Sequence, residues 1–288
     1  MADSAEYVFF NGELTQKQDA KIPVGNAGLF YGAGCFETFS ADQNRIFNYS
    51  AHIERLNKGL QYLGVAENHL PDKSDIRDHI TELIQKNGLN DSRAKIRIQV
   101  SMMDEGGYQV NQNIPPVIYI TALAQKEVKK ELTLKTVNTR VVPASAKPSK
   151  FKLSNMLHYR KASQEAREDG FDDGLMVTTT NDIAETSISN LFWVSGNNVY
   201  TPSDDCDILP GIMRHAVIDV ITSLNDYSIN LGNYELSEIN KAEAVWCTNS
   251  VMKIVPVSKI DGHSYDVNHP IFESLRHTLN NYIIESFE

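Results

Sequence analysis

The stretch SKFKLSNML, residues 149–157, places Lys150 and Lys152 on either side of Phe151, just ahead of a run that alternates polar and apolar residues. A lysine beside apolar neighbours is either a stem covering apolar surface with its ammonium in water, or an amine held out of water for a chemical purpose. Which of the two Lys152 is depends on what the flanking segments bring to it.

Upstream, YVFFNGEL at 7–14 reads as a strand with an Asn-Gly turn signal. Ser50 is positioned to cap a helix in which Ile53, Leu56, Leu60 and Leu63 follow the three-four spacing of one buried face, with Arg55 off that stripe. Ile76, Ile80, Leu83 and Ile84 mark a second helix that runs into Gly88. In RAKIRIQV and the residue after it, Ala94, Ile96, Ile98 and Val100 share one strand face, and Lys95, Arg97, Gln99 and Ser101 the other. After Pro115-Pro116, VIYITALA reads as a nearly buried strand. The charged run QKEVKKE at 125–131 is the candidate connection between an N-terminal α/β domain, 1–124, and a C-terminal domain, 132–288.

Downstream, residues 155–169 look helical and end at Gly170, while GLMVTTT, the turn Asn181-Asp182 and IAETSISNLFWV read as a hairpin. Met213, Val217, Val220, Ile221 and Leu224 mark an amphipathic helix that begins just after Pro210-Gly211, and Ile271, Leu275, Leu279 and Ile283 a last one. The fold class is α/β (α+β), in two domains.

With 288 residues and 41% hydrophobic content, the chain has enough material for two buried cores. Its net charge of −10 argues against general affinity for nucleic acid or anionic membrane and favours small-molecule partners. No basic leader precedes an apolar core at the start, and no window approaches a membrane-spanning length, so a soluble cytoplasmic protein is expected. Cys35, Cys206 and Cys247 form no CxxC pair and no even framework, which points to free thiols.

Several chemistries find no support. GAGCFE at 32–37 has Glu37 where a dinucleotide fingerprint needs its third glycine. Walker-type, GxSxG and HExxH patterns are missing, the histidines lack ligand spacing, and no metal is expected. His52, His158 and His215 read as helix-surface or partly buried polar residues.

Four separated segments do suit one anionic, carbonyl-bearing cofactor: Arg55 near a helix start, Lys152, Glu185 in an otherwise hydrophobic or small strand, and the PGIMR turn at Gly211. With the wording around them, GLFYGAGCFETF at 28–39, AHIERL at 51–56, KLSN at 152–155, IAETSISNLFWV at 183–194, LPGIMR at 209–214 and TNSVMKIVPV at 248–257, the chain resembles the class IV aminotransferases. That pyridoxal-phosphate family contains branched-chain and D-amino-acid aminotransferases and aminodeoxychorismate lyases.

The resemblance implies fold type IV, with the cofactor at the domain interface in the C-terminal, cofactor-binding domain, and a homodimer whose partner chain helps close each pocket. It assigns Lys152, which has Asn155 three residues on whereas Lys150 has no such asparagine, as the imine-forming amine and proton carrier. A carboxylate at Glu185 would keep the ring nitrogen protonated, so that the ring draws electrons from the substrate carbanion. Backbone N–H groups at Gly211 and Ile212 would receive the phosphate, with Arg55 adding charge-assisted bonds. Ser189, Asn190, Leu209, Asn249 and Ser250 fall in matching pocket segments.

Tyr31 and Arg97 are the candidates for substrate contact, Arg97 for a carboxylate. Ala33 replaces the acid of the family's GDG, Leu157 stands where branched-chain enzymes have tyrosine, and EGGY has glycine for the arginine of the lyases' GGRGY. The reading is an aminotransferase moving an amino group between an amino acid and a 2-oxo acid. The alternatives are a pyruvate-eliminating aminodeoxychorismate lyase on the same scaffold and, more remotely, a non-catalytic binding protein.

Overall fold

The Asn11-Gly12 pair takes positive φ values of 52° and 83°, a conformation glycine and asparagine adopt readily, and so closes a hairpin between β1 (Tyr7–Phe10) and β2 (Glu13–Gln16). A computed structural model describes residues 6–105 and 107–288. Residues 1–5, at the start of the segment read as having no leader, and Gly106, within EGGY, lie outside the described residues.

The chain divides into two units. One comprises residues 1–127, 151–156 and 286–288, the other 128–150 and 157–285. After its hairpin the first unit contains α1 (Ala27–Tyr31), β3 (Gly34–Asp42), β4 (Arg45–Ile46), α2 (Tyr49–Tyr62), α3 (Lys73–Lys86), β5 (Arg93–Ser101) and β6 (Val117–Ala124). Its sheet runs β2-β1-β6-β5-β3-β4 with antiparallel pairing.

Strand parity gives this sheet two chemically different faces. The register sets Cys35 opposite Val100, Glu37 opposite Ile98 and Phe39 opposite Ile96, so all six project to the side on which α2 and α3 pack. Phe36 opposite Gln99 and Thr38 opposite Arg97 project to the other side, joined by Tyr119 and Thr121 of β6. The expected split of β5 is present, although the second face is less exposed than its polarity predicts: Gln99 is buried and Arg97 half-buried. β6 is half-buried rather than nearly buried.

The helices α2 and α3 follow their apolar stripes, with Ile53, Leu56 and Leu60, then Ile76, Ile80, Leu83 and Ile84, buried. Ser50 is not the cap of α2. Asn48 holds that position, and Ser50 lies within the first turn, where its backbone N–H and hydroxyl donate to the Glu288 carboxylate. Backbone bonds between Ile46 and Glu288, and from Asn48 to Ser286, explain why 286–288 belong to this unit. Residues 151–154 belong to it for a similar reason. Phe36 N–H donates to Lys152 O at 3.0 Å, Ser154 N–H to Gly34 O at 2.8 Å, and Leu153 bridges Cys35, so the segment extends the edge of β3.

The second unit contains β7 (Leu132–Thr136), α4 (Leu157–Glu168), β8 (Asp173–Val177), β9 (Ile183–Thr186), β10 (Asn190–Ser195), β11 (Asn198–Pro202), α5 (Ile212–Ser223), β12 (Ser228–Gly232), α6 (Leu236–Ile239), β13 (Ala244–Asn249), β14 (Lys253–Ile260), β15 (His263–Ser264) and α7 (Ile271–Glu285). Its sheet runs β12-β11-β10-β13-β14-β7-β8-β9, with β15 on β14, and mixes parallel and antiparallel pairs. The expected hairpin is β8–β9, turning through Asn181 at φ 70°. Among the described residues no helix is long and apolar enough to cross a membrane, and all three cysteines are free and buried.

Ile98 has no exposed surface at the centre of the first unit's sheet. Ile98→Ala is expected to lower stability to chemical denaturation by about 2–5 kcal/mol through lost burial and the cavity left behind. A loss below about 1 kcal/mol would mean that the site collapses around the smaller side chain.

Candidate active site

Parity explains how the first unit presents Lys152. With Leu153 on the core face beside Cys35, its neighbours Lys152 and Ser154 turn to the face of Phe36 and Gln99. Gln99 donates to Ser154 Oγ at 2.7 Å, and Lys152 Nζ lies 4.7 Å from the centroid of the Phe36 ring. The guanidinium carbon of Arg97 lies 3.9 Å from the same centroid. Both cations are therefore within the range of a cation–π contact with one phenyl ring. Arg97 also donates to Gln99 Oε1 at 2.8 Å. Burial lowers its proton affinity, with the Tyr119 phenol opposing, but an arginine stays charged at neutral pH.

Arg55 is placed differently from a solvated helix arginine. Its Nε and Nη2 donate to the two oxygens of Glu37 at 2.7 and 2.9 Å, a forked pair, and its side chain is only 13% exposed. Glu37 is fully buried and also lies 2.8 Å from His52 Nδ1. Since an ionised carboxylate only accepts, His52 carries its proton on Nδ1. Its Nε2 is then a buried acceptor without a hydrogen-bond partner among the described residues. His52 has no exposed surface, which corrects its reading as a helix-surface or partly buried residue. Tyr31 ends α1 at 46% exposure, with its ring centroid 5.8 Å from that of Tyr108.

In the second unit the fold gathers a second set around Glu185, which is 3% exposed on β9. One oxygen accepts from the Tyr159 phenol at 2.5 Å and from Leu209 N–H at 3.1 Å; the other accepts from Asn190 Nδ2 at 3.0 Å. Asn190 also donates to Leu209 O at 2.9 Å. A Cβ on Gly211 would sit 2.2 Å from Asn190 Oδ1, so only glycine fits while that asparagine holds its place. Gly211 begins α5 without a side-chain cap, which leaves the first-turn N–H groups of Ile212 and Met213 without a capping side chain. Asn249 donates to Ser189 Oγ at 3.1 Å and folds its own turn by accepting from Val251 and Met252, with Ser250 half-buried between them.

Glu185, Asn190, Leu209, Gly211 and Ile212 thus form one connected group, and Ser189 with Asn249 adjoins it through the chain. Lys152 and Arg97 meet on Phe36.

The amino-transferase class IV family profile matches residues 34–260. The chain is 30% identical to an aminodeoxychorismate lyase of Bacillus subtilis over 264 residues, covering 90% of this chain and 88% of that protein. The chain belongs to the class IV aminotransferase family. A branched-chain aminotransferase from Thermoproteus uzoniensis, solved with norvaline, has the same fold at TM-score 0.89 and 23% identity, over 98% of this chain and 96% of that one. A T.th. branched-chain amino acid aminotransferase solved with pyridoxamine 5′-phosphate matches at TM-score 0.85 and 23% identity, over 99% and 96%. The fold is that of fold type IV enzymes.

For this family member, reasoning from sequence missed Phe36, Glu37, His52 and Tyr159. Glu37 has a signal in strand parity, because an acid in step with Cys35 and Phe39 is an acid on a core face. Tyr159 has one in helix spacing, since it heads the stripe continued by the buried Ala162 and Ala166.

Burial alone would raise the Glu37 carboxyl, but the Arg55 charge and the His52 N–H outweigh it and bring it from 4.5 down to about 2. The folded state therefore binds fewer protons than the unfolded chain in this range, and the stability Glu37 contributes above pH 4.5 is lost as pH falls toward 2. His52 is lowered from 6.5 by burial against the pull of Glu37, so its contribution is also lost on acidification below that value. Glu37→Gln is expected to cost about 3 kcal/mol at pH 7, by stranding Arg55, and to flatten the decline between pH 4.5 and 2. Denaturation measured across that window checks both; a variant with an unchanged acid limb would refute the assignment.

Proposed function

We propose that the chain is a pyridoxal 5′-phosphate-dependent aminotransferase that moves an amino group between an amino acid and a 2-oxo acid, and that it works as a homodimer. The observation that carries this reading is the buried Glu185 carboxylate, tied through Asn190 to the glycine that starts α5. A buried carboxylate is a suitable partner for a cationic donor, and a pyridinium N–H is one that the family's cofactor brings. Uncapped N–H groups at a helix start suit a phosphate. The donor set fits the cofactor at both ends, and the pyridoxamine 5′-phosphate of the T.th. relative agrees with it.

In this reading Lys152 supplies the amine that bonds the cofactor aldehyde, and Glu185 faces the ring nitrogen. The first-turn N–H groups of α5, from Ile212 on, receive the phosphate together with Arg55, which Glu37 holds in a fixed orientation. Ser189, Asn249 and Ser250 line the same pocket. When bound, the cofactor supplies a ring that draws electron density from the substrate α-carbon. Lys152 Nζ takes the α-proton and redelivers it, while Arg97, fixed against Phe36, pairs with the substrate carboxylate and Tyr31 adds an aromatic contact.

A second reading, elimination of pyruvate from aminodeoxychorismate, is favoured by the name of the Bacillus subtilis relative. The two share α-proton removal and differ in where the proton goes afterwards. Purified enzyme given one amino donor and no acceptor is expected to convert its cofactor to the pyridoxamine form. Pyruvate release from aminodeoxychorismate without that conversion would reverse the order.

Borohydride reduction after loading should leave a pyridoxyl adduct on the peptide containing Lys152, and its absence there would remove the basis of the assignment. Lys152→Ala is expected to lower turnover by about a thousandfold while the circular dichroism spectrum stays that of a folded chain. Glu185→Gln is expected to lower it by about a hundredfold. Near-normal rates in either variant would mean that its role is misassigned.

A further inference from the structure

Tyr159 meets Glu185, with Lys147 and His158 against the Tyr159 ring, and the reaction as set out above uses none of the three. The phenol of Tyr159 donates to Glu185 Oε1 at 2.5 Å. Burial, and then the charge of Glu185, raise this phenol well above its ordinary value, so it remains a donor at any working pH. The Lys147 ammonium lies 5.5 Å from the centroid of the Tyr159 ring, and its charge acts on Glu185 as well. The His158 ring lies 4.1 Å from the Tyr159 ring, centroid to centroid. Burial, aided by the Lys147 charge, lowers His158 to about 4, so it is neutral near pH 7 and adds packing without charge.

A carboxylate beside a pyridine nitrogen shares one proton with it, and the two are bases of similar strength. Donors to the carboxylate oxygens stabilise its anionic form and so leave the proton on nitrogen. Of the donors to Glu185 named above, the Leu209 N–H is main chain, and Asn190 is committed to the Leu209 carbonyl as well. Tyr159 is the side chain that can be altered without disturbing that scaffold. A phenylalanine ring in its place keeps the packing against His158 and Lys147, and only the O–H is lost.

We propose that Tyr159 is a positioning residue whose phenol, backed by Lys147, holds the charge on Glu185 and thereby keeps the ring nitrogen of bound pyridoxal phosphate protonated. The inference rests on the cofactor reading given above. Without the phenol, the balance between proton on nitrogen and proton on carboxylate shifts toward the carboxylate by roughly tenfold, the order expected for one hydrogen bond to a charged group. The ring then becomes a weaker electron sink although Lys152 and Glu185 are both in place.

The test is the ¹⁵N resonance of the ring nitrogen in holoenzyme loaded with ¹⁵N-labelled pyridoxal 5′-phosphate. Wild-type protein should show a pyridinium nitrogen, Tyr159→Phe a clear move toward neutral pyridine, and Lys147→Gln a smaller move the same way. Tyr159→Phe with the wild-type resonance overturns the role of Tyr159 and leaves the cofactor reading standing. Should Tyr159→Phe fail to fold or load, Lys147→Gln carries the test, and an unmoved nitrogen there overturns the proposal. A neutral nitrogen in the wild type overturns the protonating role of Glu185 and this inference with it, while no bound label overturns the cofactor reading itself.

Discussion

Glu185 and Glu37 are carboxylates taken out of water, at 3% and 0% exposure, and the burial of an isolated charge there costs several kcal/mol. The chain meets this constraint in two ways. Glu37 is met by a guanidinium fork and an imidazole N–H from two successive turns of α2, so its charge is cancelled locally and the triad acts as a strut between strand and helix. Glu185 is met by a phenol, a side-chain amide and a backbone N–H. Those three donors are neutral, and the charge of Lys147 acts on the same carboxylate.

The surrounding secondary structure follows from that second arrangement. Glu185 can receive Leu209 N–H only if the chain entering α5 passes alongside β9, and Asn190 fixes that passage by donating at once to the carboxylate and to Leu209 O. With the asparagine fixed, Gly211 has room for no side chain, and the helix begins on a residue that offers no cap of its own. A buried acid, an amide that orients it and an uncapped helix start are thus successive consequences of one packing solution.

The helices were legible because their burial is local. A stripe such as Ile76, Ile80, Leu83 and Ile84 is visible within four turns of sequence, and so is the strand alternation from Ala94 to Val100. Glu185 was legible as an acid in need of a partner, since its strand neighbours are apolar or small. What sequence could not supply was the identity of partners separated by long stretches of chain. The cap expected of Ser50 fails because α2 already begins at Tyr49, and the N–H and hydroxyl of Ser50 donate to Glu288, 238 residues away. Arg55 was read for its charge, but its orientation comes from Glu37, 18 residues earlier and on a strand. For Tyr159, helix spacing shows that it lies on the buried stripe but not what it meets; the β9 carboxylate, 26 residues on, lies 2.5 Å from its phenol.

Phe36 bears on how transfer and elimination can share one scaffold. Its ring lies 4.7 Å from Lys152 Nζ and 3.9 Å from the Arg97 guanidinium carbon, so the two cationic groups are separated by no more than about 8.6 Å. In the proposed reading that spacing sets a base at the α-carbon and a clamp at the carboxylate of the same small substrate, and both reactions require that much. In that reading the choice between them would come after proton removal, with Lys152 redelivering the proton in transfer and the substrate losing its β-substituent in elimination. In that reading, groups that hold the ring nitrogen protonated would strengthen the ring as an electron sink for the proton removal common to both. In the proposed reading the environment of Glu185 would therefore bear on the step that the two reactions share, although Glu185 and Lys152 fall in different units of the chain.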